Sequence, residues 1–123
     1  MEDMEFSVPE DSFIQIPSGW MFDMNGDDYR RLSILLFRFR YFADIAFEEG
    51  RDIKSCYYES QKTMCMLFGM SEKSRTKVGE FLKRMETAGY LTVDRQRMKC
   101  DDGWQVRHYI VVNEPRLLFK YGL

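Results

Sequence analysis

Histidine is almost absent: His108 is the only one in 123 residues. A metal cluster built on histidines, or a Ser-His-Asp triad, would have to form around that one imidazole. It falls in an alternating strand pattern, where a structural role is expected. Cysteine is scarce. Cys56, Cys65 and Cys100 are odd in number, widely spaced and lack a C-x-x-C pair, which argues against a disulfide framework or a zinc site and for reduced thiols in the core. No apolar run approaches the roughly 20 residues of a membrane-spanning helix. The opening Met1-Glu-Asp-Met-Glu5 is acidic, without the basic start of a secretory signal. A cytoplasmic protein with no membrane partner is therefore expected. Phosphate-binding loops and nucleophile motifs are missing as well. The paired carboxylates Asp27-Asp28, Glu48-Glu49 and Asp101-Asp102 fall at helix ends and in a turn, where capping accounts for them. No enzyme activity, cofactor or small-molecule ligand is expected.

What is present suits one globular domain: 45% hydrophobic and 15% aromatic residues give ample core material. The net charge of −2 looks wrong for a nucleic-acid binder, but its distribution is uneven. Residues 1–30 carry eight acids and one base, whereas residues 60–99 carry nine bases and four acids. Such asymmetry says more about partners than the total does.

The basic stretch is also the most strongly patterned. Met64, Leu67 and Phe68 fall at i, i+3, i+4, after Ser60 as a helix cap and before Gly69 as a stop. Ser71 and Ser74 are further caps. Val78, Phe81, Leu82 and Met85 then form a second helical stripe, ended by Gly89, with Lys73, Thr76, Lys77, Lys83 and Arg84 pointing away from it. Tyr90, Leu91 and Val93 begin a strand in which Arg95, Arg97 and Lys99 share a parity. Lys99 to Gly103 makes a turn, and Trp104 to Asn113 returns, with Val106, His108, Ile110 and Val112 on one face. Helix, turn, helix, strand, charged loop and strand is the winged-helix order, in which the second helix enters the major groove. The expected fold is thus α+β: a winged helix-turn-helix with a three-helix core and a small antiparallel wing.

Around this unit, residues 1–12 read as a flexible acidic arm and residues 13–113 as the domain. Residues 114–123 read as an apolar tail that packs either on the long helix or on a second copy. Phe13–Ile16 reads as a short strand or extended arm, Trp20–Phe22 as packing residues, and Asn25-Gly26 as a turn after which Asp27 or Asp28 caps a helix over Tyr29–Glu49. That helix carries Leu32, Leu35, Leu36, Phe39, Phe42, Ala43 and Ala46 on one stripe. Ile34, Phe37, Tyr41 and Ile45 lie on another flank. It is expected to be the central core helix, the second flank being also a possible homodimer surface. Ser55–Tyr58 reads as the first strand.

Residues 13–113 resemble the N-terminal winged-helix domain of plasmid replication initiators of Gram-positive bacteria. The resemblance rests on Phe13-Ile-Gln-Ile-Pro17, Tyr29-Arg-Arg-Leu-Ser33, Gly69-Met-Ser-Glu-Lys-Ser74 and Leu82-Lys-Arg-Met-Glu-Thr-Ala-Gly-Tyr-Leu91. The last two are also similar to phage DnaD-like replisome-organiser domains. Gly69-Met-Ser71 begins three residues earlier than the pattern has it, so the turn or the helix is longer by about one turn. The initiators also carry a C-terminal domain, whereas this chain ends at Leu123, which shifts expectation toward a regulator or accessory factor from a plasmid or phage. The resemblance and the charge pattern together imply a sequence-specific double-stranded DNA binder. Ser74, Arg75, Thr76 and Lys77 would meet base edges or flanking phosphates, with Lys73 beside them, while Lys62, Arg95, Arg97 and Lys99 would meet phosphates. The alternative is a winged-helix interaction module that binds a host protein, which the acidic start and apolar tail would suit.

Overall fold

The computed structural model of the chain describes residues 12–123, so the acidic arm lies outside the described residues except for Ser12. The described residues form an α+β fold of five α-helices and a three-stranded antiparallel sheet. The helices are α1 (Trp20–Asp23), α2 (Gly26–Glu48), α3 (Gln61–Leu67), α4 (Arg75–Thr87) and α5 (Pro115–Tyr121). The strands are β1 (Tyr58–Glu59), β2 (Leu91–Cys100) and β3 (Gly103–Val112), in the order β1-β3-β2. None of these helices is long and apolar enough to cross a membrane.

The core is organised on α2. Leu32, Leu35, Leu36, Phe39, Ala43 and Ala46 are fully buried along one stripe, the burial that makes a long amphipathic helix stable. Phe42, expected in that stripe, is half-buried and stacks on Tyr57 at 5.6 Å. On the second flank Ile34, Phe37 and Ile45 are half-buried and Tyr41 is exposed. The helix begins earlier than expected and its cap is Asn25, whose side chain accepts from the Asp28 amide at 2.8 Å. Asp28, expected to be a cap, is instead buried. It accepts from Nε and Nη2 of Arg84 at 3.1 and 2.9 Å, tying α2 to α4.

The C-terminal tail packs back on this helix as α5. Glu114 caps it by accepting from the Arg116 amide, Pro115 occupies the first turn, where its missing N–H costs nothing, and Gly122 ends it. Tyr121 is buried edge-on to Phe39 at 6.2 Å and donates to Asp44 at 2.5 Å, beside Lys120 at 2.9 Å. Burial, and then the Asp44 carboxylate, push the Tyr121 phenol up.

Sequence expectations are adjusted at the edges of the fold. The first strand, expected over Ser55–Tyr58, is shorter and later, at Tyr58–Glu59. The Asp52 side chain accepts from the Lys54 amide and from the Ser55 hydroxyl, which winds Ile53–Ser55 into a 3-10 turn. The strand's pairs are Tyr58↔Tyr109 and Glu59↔His108, and the Tyr57 carbonyl before it accepts from the Ile110 amide at 3.0 Å. Phe13–Ile16 forms no strand; Ile14 and Ile16 pack against the core and Gln15 accepts from Arg116 at 2.8 Å. Of the three residues expected to pack nearby, Trp20 does so, edge-on to Tyr90, while Met21 and Phe22 are exposed.

The β2–β3 hairpin runs in register from Leu91↔Val112 to Cys100↔Gly103, leaving Asp101-Asp102 as a two-residue loop. Alternation puts Leu91, Val93, Arg95, Arg97 and Lys99 on one face with Val112, Ile110, His108, Val106 and Trp104 opposite them. The first members of that face are buried or half-buried. Beyond the Arg95↔His108 pair the side chains of this face are exposed. Five further residue pairs carry the hairpin roughly 16 Å past that point.

Candidate nucleic-acid interface

The α3–α4 unit is built by local rules. The Ser60 hydroxyl accepts from the Thr63 amide at 3.0 Å and starts α3. Gly69, at φ 72°, lets the chain reverse while the Met70 amide bonds back to the Cys65 carbonyl at 2.8 Å. Gly89 repeats the device after α4, with the Tyr90 amide on the Met85 carbonyl. Between the helices Ser71 caps a 3-10 turn, Glu72–Ser74, and α4 starts only at Arg75. The extra residues of the Gly69–Ser74 stretch are thus taken up in that turn and do not lengthen α4. Ser74 makes no side-chain capping bond. Val78, Phe81, Leu82 and Met85 are all buried, so Lys73, Arg75, Thr76, Lys77 and Lys83 remain on the exposed side.

A groove of about 650 Å³ lies between this unit and the hairpin. One wall is Ser60–Thr63 and Met66, with Arg75 at the head of α4; the other is Trp104–Val106 and His108 of β3. Because Arg97 pairs with Val106 and Lys99 with Trp104 on the same hairpin face, the two basic stretches singled out in the sequence lie on one side of the molecule.

The cations there differ in their partners. Arg75 donates to Glu72 at 2.7 Å, and Lys62 approaches the same carboxylate at 3.9 Å. Both pairs are more than half exposed, so each contributes little to stability and is readily exchanged for another anion. Arg95 makes a two-pronged bond to Glu86 on α4 at 3.1 and 2.7 Å, which raises its pKa and turns it toward the helix. The Arg97 guanidinium stacks 5.0 Å from the centre of the Trp104 ring. Lys73, Lys77 and Lys99 are exposed and make no ion pair among the described residues.

Two groups of this site had no place in the sequence reading of it. Trp104 is 62% exposed, the most exposed apolar side chain of the hairpin. Its parity and its position opposite Lys99 were visible in the sequence; that the sheet outruns its core at that point was not. His108 is buried, and its Nδ1 has no hydrogen-bond partner. Burial, and then the neighbouring Arg95, lower its pKa, so the ring is neutral at pH 7. Comparison with protein-family models, with curated proteins and with solved structures finds no match for this chain.

Proposed function

We propose that this chain is a winged-helix protein that binds double-stranded DNA in a sequence-specific manner, with α4 entering the major groove and the β2–β3 hairpin acting as the wing. The observation that carries this reading is the shared groove: Lys62 and Arg75 line it from the helices, and the hairpin face that holds Arg97 and Lys99 lines it from the sheet. Lys73, Ser74, Arg75, Thr76 and Lys77 sit at the start of α4, the part of a recognition helix that meets base edges. Arg and Lys there suit guanine, and Thr suits a thymine methyl. Lys62, Arg97 and Lys99 suit phosphates, and Arg95 joins them once released from Glu86. The role is that of a replication-initiator-like or regulatory factor of a plasmid or phage, without enzymatic activity. It acts as a monomer, or as a dimer through the half-buried second flank of α2.

Selection from random duplex DNA, followed by titration at several salt concentrations, tests this. Enrichment of one motif is expected, with log affinity falling about 0.9 per contacted phosphate for each unit of log salt. A direct or inverted repeat in the enriched motif would report a dimer. No enrichment, or binding indifferent to salt, would refute it and favour the protein-partner reading, which the exposed Phe22 and Phe119 suit.

Glu72 is the adverse charge on this surface, and it yields a prediction of opposite sign. Glu72→Gln removes a carboxylate from beside Arg75 and Lys62. Duplex affinity in an anisotropy titration at low salt should rise several-fold, while thermal stability changes by less than about 1 kcal/mol. Weaker binding by the variant would contradict the assignment of Arg75 and Lys62.

A further inference from the structure

The groove holds more than phosphate-binding charge. Its hairpin wall carries an indole whose ring is open to solvent. A second groove, of about 430 Å³, adjoins it and shares Ser60, Thr63, Gln105 and Val106 as lining. There Arg107 stacks 4.5 Å over the Tyr58 ring, and Tyr58 lies against Tyr109 at 5.4 Å. The two grooves join around the edge of β3, which β1 pairs only at His108 and Tyr109. Together they make a track that wraps the edge of β3 from one sheet face to the other, with an arginine-backed aromatic on each face and Lys62, Ser60, Thr63 and Gln105 between them.

This is the wrong shape for a duplex alone. In a double helix the flat faces of the bases are covered by their neighbours, and only edges and phosphates reach a protein. An exposed indole in a concave, cationic wall matches a base that has left the stack. Aromatic platforms in a positive groove are how sequence-tolerant single-strand binding is built. Each volume lies in the range of roughly 300–1,000 Å³ in which concave sites enclose small ligands.

We propose that this track binds single-stranded nucleic acid, with one unpaired base stacked on Trp104, a second on the Tyr58 platform, and the phosphates between them held by Lys62 and Arg75. Gln105, exposed on β3, offers hydrogen bonds to a base edge. The site shares Lys62 and Arg75 with the duplex reading and differs from it in Trp104 and Tyr58, whereas Lys77, central to that reading, is not part of the track's lining.

Titration of the full chain with fluorescein-labelled dodecathymidylate, dodecauridylate and a duplex of the selected motif tests it. The variants are Trp104→Ala, Tyr58→Ala and Lys77→Glu. Both aromatic side chains are substantially exposed, so the thermal midpoints should stay near that of the parent. Trp104→Ala should weaken single-strand binding about five- to a hundredfold, the range found when a base-stacking aromatic is removed, and Tyr58→Ala should act in the same direction. Lys77→Glu should cost the duplex more than the single strand. Tryptophan emission should be quenched by dodecathymidylate in the parent and not in Trp104→Ala, since Trp20 is buried. Binding of either oligomer supports the site, and a dodecadeoxyuridylate control, which differs from dodecauridylate only at the 2′-hydroxyl, names the sugar. Failure of the parent to bind both, unchanged affinity in Trp104→Ala, or equal single-strand losses in Trp104→Ala and Lys77→Glu would overturn it. Single-strand binding that survives in a protein unable to bind any duplex would refute the duplex reading and leave this one intact.

Discussion

Arg38→Met should destabilise the protein by about 3–5 kcal/mol, a large part of the roughly 5–15 kcal/mol that holds a domain folded. The Arg38 Nε donates to the Glu59 carboxylate at 2.5 Å, and Tyr57 donates to the same oxygen at 2.8 Å. Side-chain exposure is 10% for Arg38 and 4% for Glu59. Burial works against the Arg38 charge, yet Glu59 outweighs it and raises the arginine's pKa; burial and the same carboxylate push the Tyr57 phenol well up. Methionine fills a similar volume but leaves a buried carboxylate with one phenol for company. A carboxylate stranded in this way costs far more than an intact pair contributes. Urea denaturation of Arg38→Met, Glu59→Gln and the double variant would form a cycle. The double variant should recover much of the loss, because a neutral amide beside Tyr57 no longer demands a cation. A stability loss below about 1 kcal/mol in Arg38→Met would show that water reaches Glu59. The consequence extends to the interface: Glu59 forms half of β1, whose pairing to His108 helps place the hairpin wall of the groove.

This same pair shows why parts of the fold could not be read in advance. Helical stripes on α2 and α4 and the alternation of the β2–β3 hairpin are local periodicities, and they lie where the spacing put them. The position of β1 depends on a buried carboxylate finding an arginine 21 residues away, which no local pattern encodes. Ser55–Tyr58 had the composition of a strand, but the Asp52 side chain draws Ile53–Ser55 into a turn, so the strand starts only at Tyr58. α5 is only seven residues long, too short for a full apolar period, although Glu114-Pro115 and Gly122 are start and stop signals. Asn25 and Asp28 are both good caps; what removed Asp28 from that role was Arg84, 56 residues on. At the candidate interface, the basic residues were visible as residue types, and Glu72 as a neighbour of Arg75 three residues away, but the partner of Arg95 was not. Glu86 reaches Arg95 because α4 packs beside β2, and Trp104 is open because the hairpin outruns the helices beneath it.

Lys73→Glu with Lys77→Glu should reduce duplex affinity at low salt by about a hundredfold or more and leave stability within about 0.5 kcal/mol of the parent. Both side chains are exposed at the start of α4 and make no ion pair among the described residues, so their removal strands no partner. In this they differ from Arg84 and Arg95: loss of Arg84 would leave the buried Asp28 with only the longer Arg31 contact, and loss of Arg95 would take the two-pronged bond from Glu86. Each lost phosphate contact should lower the salt slope by about 0.9, so the double variant should bind with a slope smaller by nearly two. A charge-assisted hydrogen bond to phosphate is worth about 1.5–3 kcal/mol, and reversal adds repulsion to its loss. Slope and affinity must therefore change together. An affinity loss at unchanged slope would mean that the lysines act through folding or through a protein partner, and binding within threefold of the parent would remove α4 from the interface altogether. The same titration on Lys83→Glu supplies the internal contrast. Lys83 is exposed on the same helix, two turns further along, and only a recognition helix that enters the groove by its first turn should leave it with the smaller effect.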